Sequence, residues 1–205
     1  MNWWKTFLSI FFPSKVNYFK LTQIPTSPPH TEPHWFSFFD YHSTQGKALI
    51  YHLKKYRDPL LIQCIAAYIH HDLLEALSEL QQFNYFQNPL IIPIPITQKR
   101  KRERGFNQSH ELAQELARLY KGRFASNILI KVKETQKQAL ISQRHKRYMN
   151  VKNSFDVTLS QRHLLHNQDI ILVDDLITSG ATIKEALRIL YKYKVRNIMV
   201  ISIAH

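Results

Sequence analysis

Apolar residues recur along this chain with two periods, and each predicts a different kind of element. Trp35 to Tyr41 is an aromatic, strand-like run. Ala48, Leu49, Tyr51, His52, Leu53 and Tyr56 then follow a 3.6-residue period, predicting a helix that Arg57-Asp58-Pro59 breaks. A second helix is predicted from the stripe Leu61, Ile65, Ala66, Ile69, Leu73, Leu74 and Leu77, with its exit at Asn84 to Pro89. Leu90 to Ile96 reads as a strand, and Pro93 and Pro95, which cannot donate ladder hydrogen bonds, belong near its end. Leu112, Leu116, Leu119 and Tyr120 predict a helix, with Asn107 or Ser109 as its cap and a left-handed Gly122 as its stop. Candidate strands follow at Ile128 to Val132, Ser154 to Val157 and Ile170 to Val173. Ile183, Ala186, Leu187 and Leu190 mark a final helix, and Asn197 to Ile203 a last buried strand. Apolar strands alternating with amphipathic helices predict an α/β fold. Its mainly parallel twisted sheet is flanked by helices, with Leu90 to Ile96 early and Ile170 to Val173 central.

Before Trp35 neither period holds, so residues 1–34 are expected to stand apart from a 35–205 domain. Met1 to Phe12 gathers Trp3, Trp4, Phe7, Leu8, Ile10, Phe11 and Phe12 around Lys5. The run is too short to span a bilayer, which takes about 20 apolar residues, and Pro13 ends it. It also lacks the basic leader and small-residue cleavage site of a signal peptide. Two readings stay open: an element that packs on protein, which is favoured, and a peripheral membrane contact. From Pro13 to His34, prolines amid Ser and Thr predict an extended arm. His30 and His34 have helical metal-ligand spacing, but the surrounding prolines oppose a helix and no cysteine accompanies them.

Composition narrows the class. Hydrophobic residues make up 44% of the 205, which suits a folded core and excludes a disordered chain. Cys64 is the only cysteine, so an intramolecular disulfide or a cysteine-rich zinc module is ruled out, and a reducing compartment fits. The formal charge of +13 is the unusual number, because it favours a polyanionic partner. Lys99, Arg100, Lys101, Arg102 and Arg104 crowd into one segment, and Arg144, His145, Lys146, Arg147 and Lys152 form a second. Each cluster alone is as easily a solvated face.

Chemistry concentrates at Ile170 to Thr182, IILVDDLITSGAT. Asp174 and Asp175 follow a buried strand at its carboxyl end, where open α/β sheets bind ligands. Thr178, Ser179, Gly180, Ala181 and Thr182 then turn into a helix. Such a loop offers backbone N–H groups, hydroxyls and a helix dipole to a phosphate. Two carboxylates beside it suit ribose hydroxyls and a Mg²⁺ ion. The pattern closely resembles the phosphoribosyl-pyrophosphate (PRPP) motif of type I phosphoribosyltransferases. That resemblance implies ribose and Mg²⁺ contacts for Asp174 and Asp175, and 5′-phosphate contacts for Thr178 to Thr182.

A second segment sharpens the likeness. Pro93 to Ile96 leads into Arg102, Arg104, Gly105, Phe106, Asn107 and Gln108. These match the R-x-R-G-F-N-Q signature of the ComF/GntX branch of phosphoribosyltransferase-like proteins. Thr135, Gln136, Gln138, Leu140, Arg144, Arg147, Asn150, Val151 and Phe155 follow that branch's next pattern, so the resemblance covers about residues 36 to 205. The branch commonly begins with a four-cysteine zinc module; this chain has none of those cysteines, and no zinc is expected.

In a transferase, cations beside the ribose site would stabilise a departing pyrophosphate. Arg100, Arg102, Arg104 and Gly105, read as a loop, are the candidates for that role or for DNA phosphate. The long polar stretch from 134 to 152 reads as a flexible lid carrying Gln136, Gln138, Arg144 and Arg147. No base pocket and no catalytic residue is legible. The resemblance implies a ComF-like part in natural transformation: single-stranded DNA handled in the cytoplasm, beside the uptake machinery at the inner membrane, with a retained PRPP-type site. The alternative is a metabolic or salvage phosphoribosyltransferase that joins phosphoribose to a nitrogenous base.

Overall fold

The computed structural model describes residues 21–82, 86–135 and 149–205. In chain order its elements are β1 (Trp35–Phe39), α1 (Thr44–Lys55), α2 (Pro59–Gln82), β2 (Leu90–Pro93), α3 (Gln98–Arg104), α4 (Gln108–Tyr120) and β3 (Arg123–Phe124). They continue with β4 (Leu129–Lys131), β5 (Phe155–Val157), β6 (Asp169–Leu176), α5 (Ala181–Tyr191) and β7 (Asn197–Ala204). Strands without a polar face are stable only in a sheet covered on both sides, and that is where the apolar runs lie. The five-stranded sheet has the order β1-β7-β6-β2-β3 and every pairing in it is parallel. The strand predicted to be central, now β6, is its middle member.

Successive strand residues point to opposite faces, and the two cores follow that alternation. Ile91, Ile171, Val173, Met199 and Ile201 pack on one face with α1, α2 and α4. Leu90, Ile92, Ile170, Leu172 and Val200 pack on the other with α5 and the β4–β5 ribbon. The strands predicted at 128–132 and 154–157 do form, but they pair antiparallel with each other, outside the main sheet. Cys64 lies in the first core, where burial, and then the charge of Asp58, push its thiol up to about 11.

Three local expectations are corrected. The strand predicted through Ile96 ends at Pro93, although the next amide, Ile94, still donates to Val173 (2.8 Å). The left-handed stop of α4 is Lys121 (φ 51°) and not Gly122. Gly122 serves packing, since a Cβ there would stand 3.1 Å from Cδ1 of Ile91. The basic run 98–104, read as a loop, is a helix: the Thr97 hydroxyl caps it by accepting from the Arg100 amide, and Gly105 (φ 83°) closes it.

The proline-rich arm is seated on the sheet edge. Leu21 and Ile24 are buried in the first core, and Ser27 donates to Phe38 (3.1 Å). Asp40 donates back to Pro25 (2.7 Å), so the arm runs antiparallel to β1 and covers an edge that would otherwise be open. The expected aromatic segment 1–12 lies outside the described residues.

Candidate functional site

The carboxyl end of β6 brings the two predicted acids into different environments. Asp174 is buried, and its Oδ1 accepts from the Ser109 hydroxyl (3.1 Å) and the Asp175 amide (2.9 Å). Burial, and then the charge of Asp175, push its carboxyl well above the usual carboxylate range. Asp175 is more accessible and pairs with Lys54 of α1 at 3.2 Å. The two acids are therefore not equivalent: Asp174 holds its proton more readily than an ordinary carboxyl, and Asp175 is paired with Lys54.

Beyond the acids, Ile177 still bonds to Ala204 of β7 (3.0 Å) before the chain leaves the sheet. Gly180 takes a left-handed conformation (φ 70°) and starts α5 without any side-chain cap. The first amides of a helix have no intrahelical acceptor, and among the described residues no side chain caps this one. Thr178, Ser179 and Gly180 line a cavity of about 400 Å³, and Ala181 and Thr182 form the first turn behind it. The same cavity is walled by Glu32 and Trp35 from the arm and β1, and by His205. Lys184 in the first turn of α5 pairs with Glu32 at 2.6 Å.

The basic helix α3 borders a second cleft, of about 310 Å³, between Gly105-Phe106-Asn107 and β4. Helix α3 has no buried residue, and Lys99, Lys101 and Arg102 project into solvent. Arg100 donates to the Thr135 carbonyl (2.9 Å) and Arg104 to Gln108 (3.4 Å), so these two are partly engaged within the chain. Asn107 ties this region to the end of β2 through Ile94 (3.0 Å). Lys131 joins the cleft to the acid pair. Its amine is pushed down to about 8 by burial and by the repulsion of Arg100, against the attraction of Asp174. Gln136, Gln138, Arg144 and Arg147, the expected lid, lie outside the described residues.

Sequence reasoning missed Lys54, Ser109, Lys131, Glu32 and Trp35. Ser109 directly follows the R-x-R-G-F-N-Q segment, but its residue type and place fit a helix cap equally well. The others are brought to the site by tertiary contact and carry no local pattern. Among the described residues no group of three or more His, Cys, Asp or Glu could hold a metal. Asp174 and Asp175 still fit Mg²⁺ in one respect, because that ion commonly uses one or two carboxylates together with substrate oxygens.

Residues 92–205 match the family model described as phosphoribosyl transferase domain. The chain is 36% identical over 114 residues to "Competence protein F" of Haemophilus influenzae, spanning 56% of this chain and 49% of that one. It is 33% identical over 102 residues to "DNA utilization protein YhgH" of an Escherichia coli strain (50% and 43%). It is 35% identical over 102 residues to "Competence protein ComFC" of Bacillus subtilis (49% and 38%). The chain thus spans about half the length, or less, of these relatives. Among solved structures it is similar to a hypoxanthine-guanine phosphoribosyl transferase of L. donovani, with TM-score 0.42, 13% identity and coverage of 72% and 73%.

Proposed function

The chain belongs to the phosphoribosyl transferase domain family, and from that premise we propose that it is a ComF-like protein of DNA uptake that keeps a ribose-phosphate site of the PRPP type. One observation carries the second half of this reading: an acid pair and an uncapped phosphate-sized loop meet at the carboxyl end of the central strand. The names of the competence and DNA-utilization relatives support the first half, as does the charge of +13.

In this reading the ligand's 5′-phosphate lies in the loop Thr178 to Thr182, and its ribose hydroxyls donate to Asp174 and Asp175. Ribose hydroxyls reaching Asp175 compete with Lys54, which swings away or turns to the ligand's own phosphates. Ser109 holds Asp174 in place while the ligand exchanges. Asp174 and Asp175, with ligand oxygens, would hold Mg²⁺, and the ion would supply positive charge at the pyrophosphate. Lys131 and Arg100 add protein cations on the same side. If turnover occurs, it is displacement of pyrophosphate at ribose C1 by a base nitrogen.

The nucleic-acid surface is the outer face of α3, where Lys99, Lys101 and Arg102 are free to track a phosphate backbone, with half-buried Phe106 as a stacking ring. We place the protein in the cytoplasm beside the inner membrane. Among the described residues no helix is long and apolar enough to cross a membrane. Charge reversal at Lys99, Lys101 and Arg102 is expected to weaken binding of a labelled single-stranded oligonucleotide at least tenfold and to flatten its salt dependence by about two to three counterions. Fluorescence anisotropy at two salt concentrations reads this. An unchanged affinity in the triple variant sinks the assignment of that surface.

A further inference from the structure

The periodic stripe that predicts α1 counts Tyr51 and Tyr56 among its members, yet neither ring enters the core. The core takes Leu49, Ile50 and Leu53 from this helix and leaves Tyr51 64% and Tyr56 48% exposed. Single exposed apolar side chains are ordinary on a protein surface. These two are gathered: Nζ of Lys55 lies 5.6 Å from the centroid of Tyr51 and 5.2 Å from that of Tyr56. Tyr56 leaves the helix in an extended conformation (φ −121°), its amide donates to the His52 carbonyl (2.8 Å), and its ring lies 5.0 Å from the His52 ring. Backbone and neighbouring side chains thus set two aromatic faces around one ammonium in contact with solvent.

The charge around these rings is of one sign. Helix α1 carries Lys47, Lys54 and Lys55 and no acid. Cations in a last turn are what the helix dipole favours and by themselves mark no site; the paired tyrosines are the feature that the dipole does not explain. The acids that border the patch already face cationic or basic partners: Asp175 meets Lys54 (3.2 Å), Asp58 meets His52 (3.2 Å) and Glu111 meets Arg57 (2.7 Å). Arg57, the residue after Tyr56, also joins the patch to the basic helix. It lines the same cleft as Lys101 of α3 and Phe106. His110 of that cleft senses both cations: burial, then Lys101, lower its pKa, with Arg57 adding to the fall and Glu111 opposing it.

Exposed aromatic faces interleaved with cations suit a single-stranded nucleic acid, whose unpaired bases stack on rings while its phosphates follow the charge. We propose that Tyr51, Lys55 and Tyr56 form a base-stacking platform on α1, and that a DNA single strand runs from the outer face of α3 past the Arg57–Lys101 cleft onto it. The inference rests on the DNA-handling reading given above and extends its surface to a second element. The two stations differ in kind. Helix α3 holds the backbone through Lys99, Lys101 and Arg102, whereas α1 holds bases, so α1 distinguishes a strand with exposed bases from any other polyanion.

The test is fluorescence anisotropy of the full chain with two labelled strands of equal length, an oligothymidylate and an abasic strand that keeps the phosphates and lacks every base. Wild type should bind the oligothymidylate at least about fivefold more tightly than the abasic strand, the least that one stacked base contributes. Tyr51→Leu/Tyr56→Leu should lose most of that preference while its affinity for the abasic strand stays within about twofold of wild type. Tyr51→Phe/Tyr56→Phe, which keeps both rings, should retain the preference. Equal affinities for the two strands in wild type overturn the platform and leave the basic face of α3 standing. A preference that survives intact in the leucine variant assigns stacking to another ring, such as Phe106, and also overturns the platform. A preference lost equally in the phenylalanine variant overturns it as well, since the rings would then not be what is read. Binding of neither strand by wild type overturns the DNA reading and the platform together.

Discussion

Asp174 and Asp175 are adjacent in sequence yet do different work. Asp174 is buried and favours its proton, whereas Asp175 is the accessible member, held by Lys54. Because the folded state raises the pKa of Asp174, its contribution to stability is fully present below the ordinary carboxylate pKa and is lost as pH rises through the folded value. Asp174→Asn removes that loss. The variant should melt above wild type at pH 8, by the equivalent of roughly 1–2 kcal/mol, and the gap should shrink at pH 4. Thermal unfolding at the two values checks this, and an equal gap at both would show that Asp174 is not strained by its charge. The acid pair and phosphate loop were legible because 13 consecutive residues carry them. Lys54 was not, because it lies more than a hundred residues away and meets Asp175 only through the packing of α1.

At the level of elements, the phosphate loop depends on one glycine for two reasons. Gly180 combines a left-handed backbone with contact against Trp35. Gly180→Ala is expected to cost about 1–3 kcal/mol and to lower affinity for ribose 5-phosphate, as read by denaturant unfolding and titration; an unaffected loop would contradict the contact. The base of β6 is fixed differently. Asp169, buried, accepts from the Phe86 amide (2.7 Å), from Asn197 (2.9 Å) and from Arg196. Burial raises its pKa, but these donors outweigh that and hold it below the usual value. Asp169→Ala should therefore destabilise the fold by about 2–3 kcal/mol, measured by urea unfolding. Apolar periodicity revealed the elements that have a buried face, such as β6, β7 and α5. It could not reveal α3, which has no buried residue. Its helix was signalled only by Thr97 and Gly105 at its ends, and the density of charge between them resembled a loop. In the same way Gly122 looked like a stop because glycine favours that role, whereas Lys121 takes it and Gly122 makes room for Ile91.

For the whole molecule, the fold separates two kinds of anion recognition. The carboxyl end of the sheet offers directed donors and acceptors to one sugar phosphate, while the solvent face of α3 offers diffuse charge to a polymer. Sequence made both visible as motifs, but not the cavity wall that the arm contributes, since its prolines read as a connector and its seat on β1 is a tertiary fact. Diffuse contacts weaken steeply with salt, and directed ones depend on the acids and the loop. The measurement that tests this division most directly is a paired titration of the full chain with Mg²⁺-PRPP and with a labelled single-stranded oligonucleotide, at low and moderate salt, in wild type and in Asp174→Asn/Asp175→Asn. PRPP is expected to bind wild type and to be lost in the double variant, while the oligonucleotide binds both proteins and weakens with salt. Binding of PRPP that survives the loss of both acids, or its absence from wild type, would contradict it.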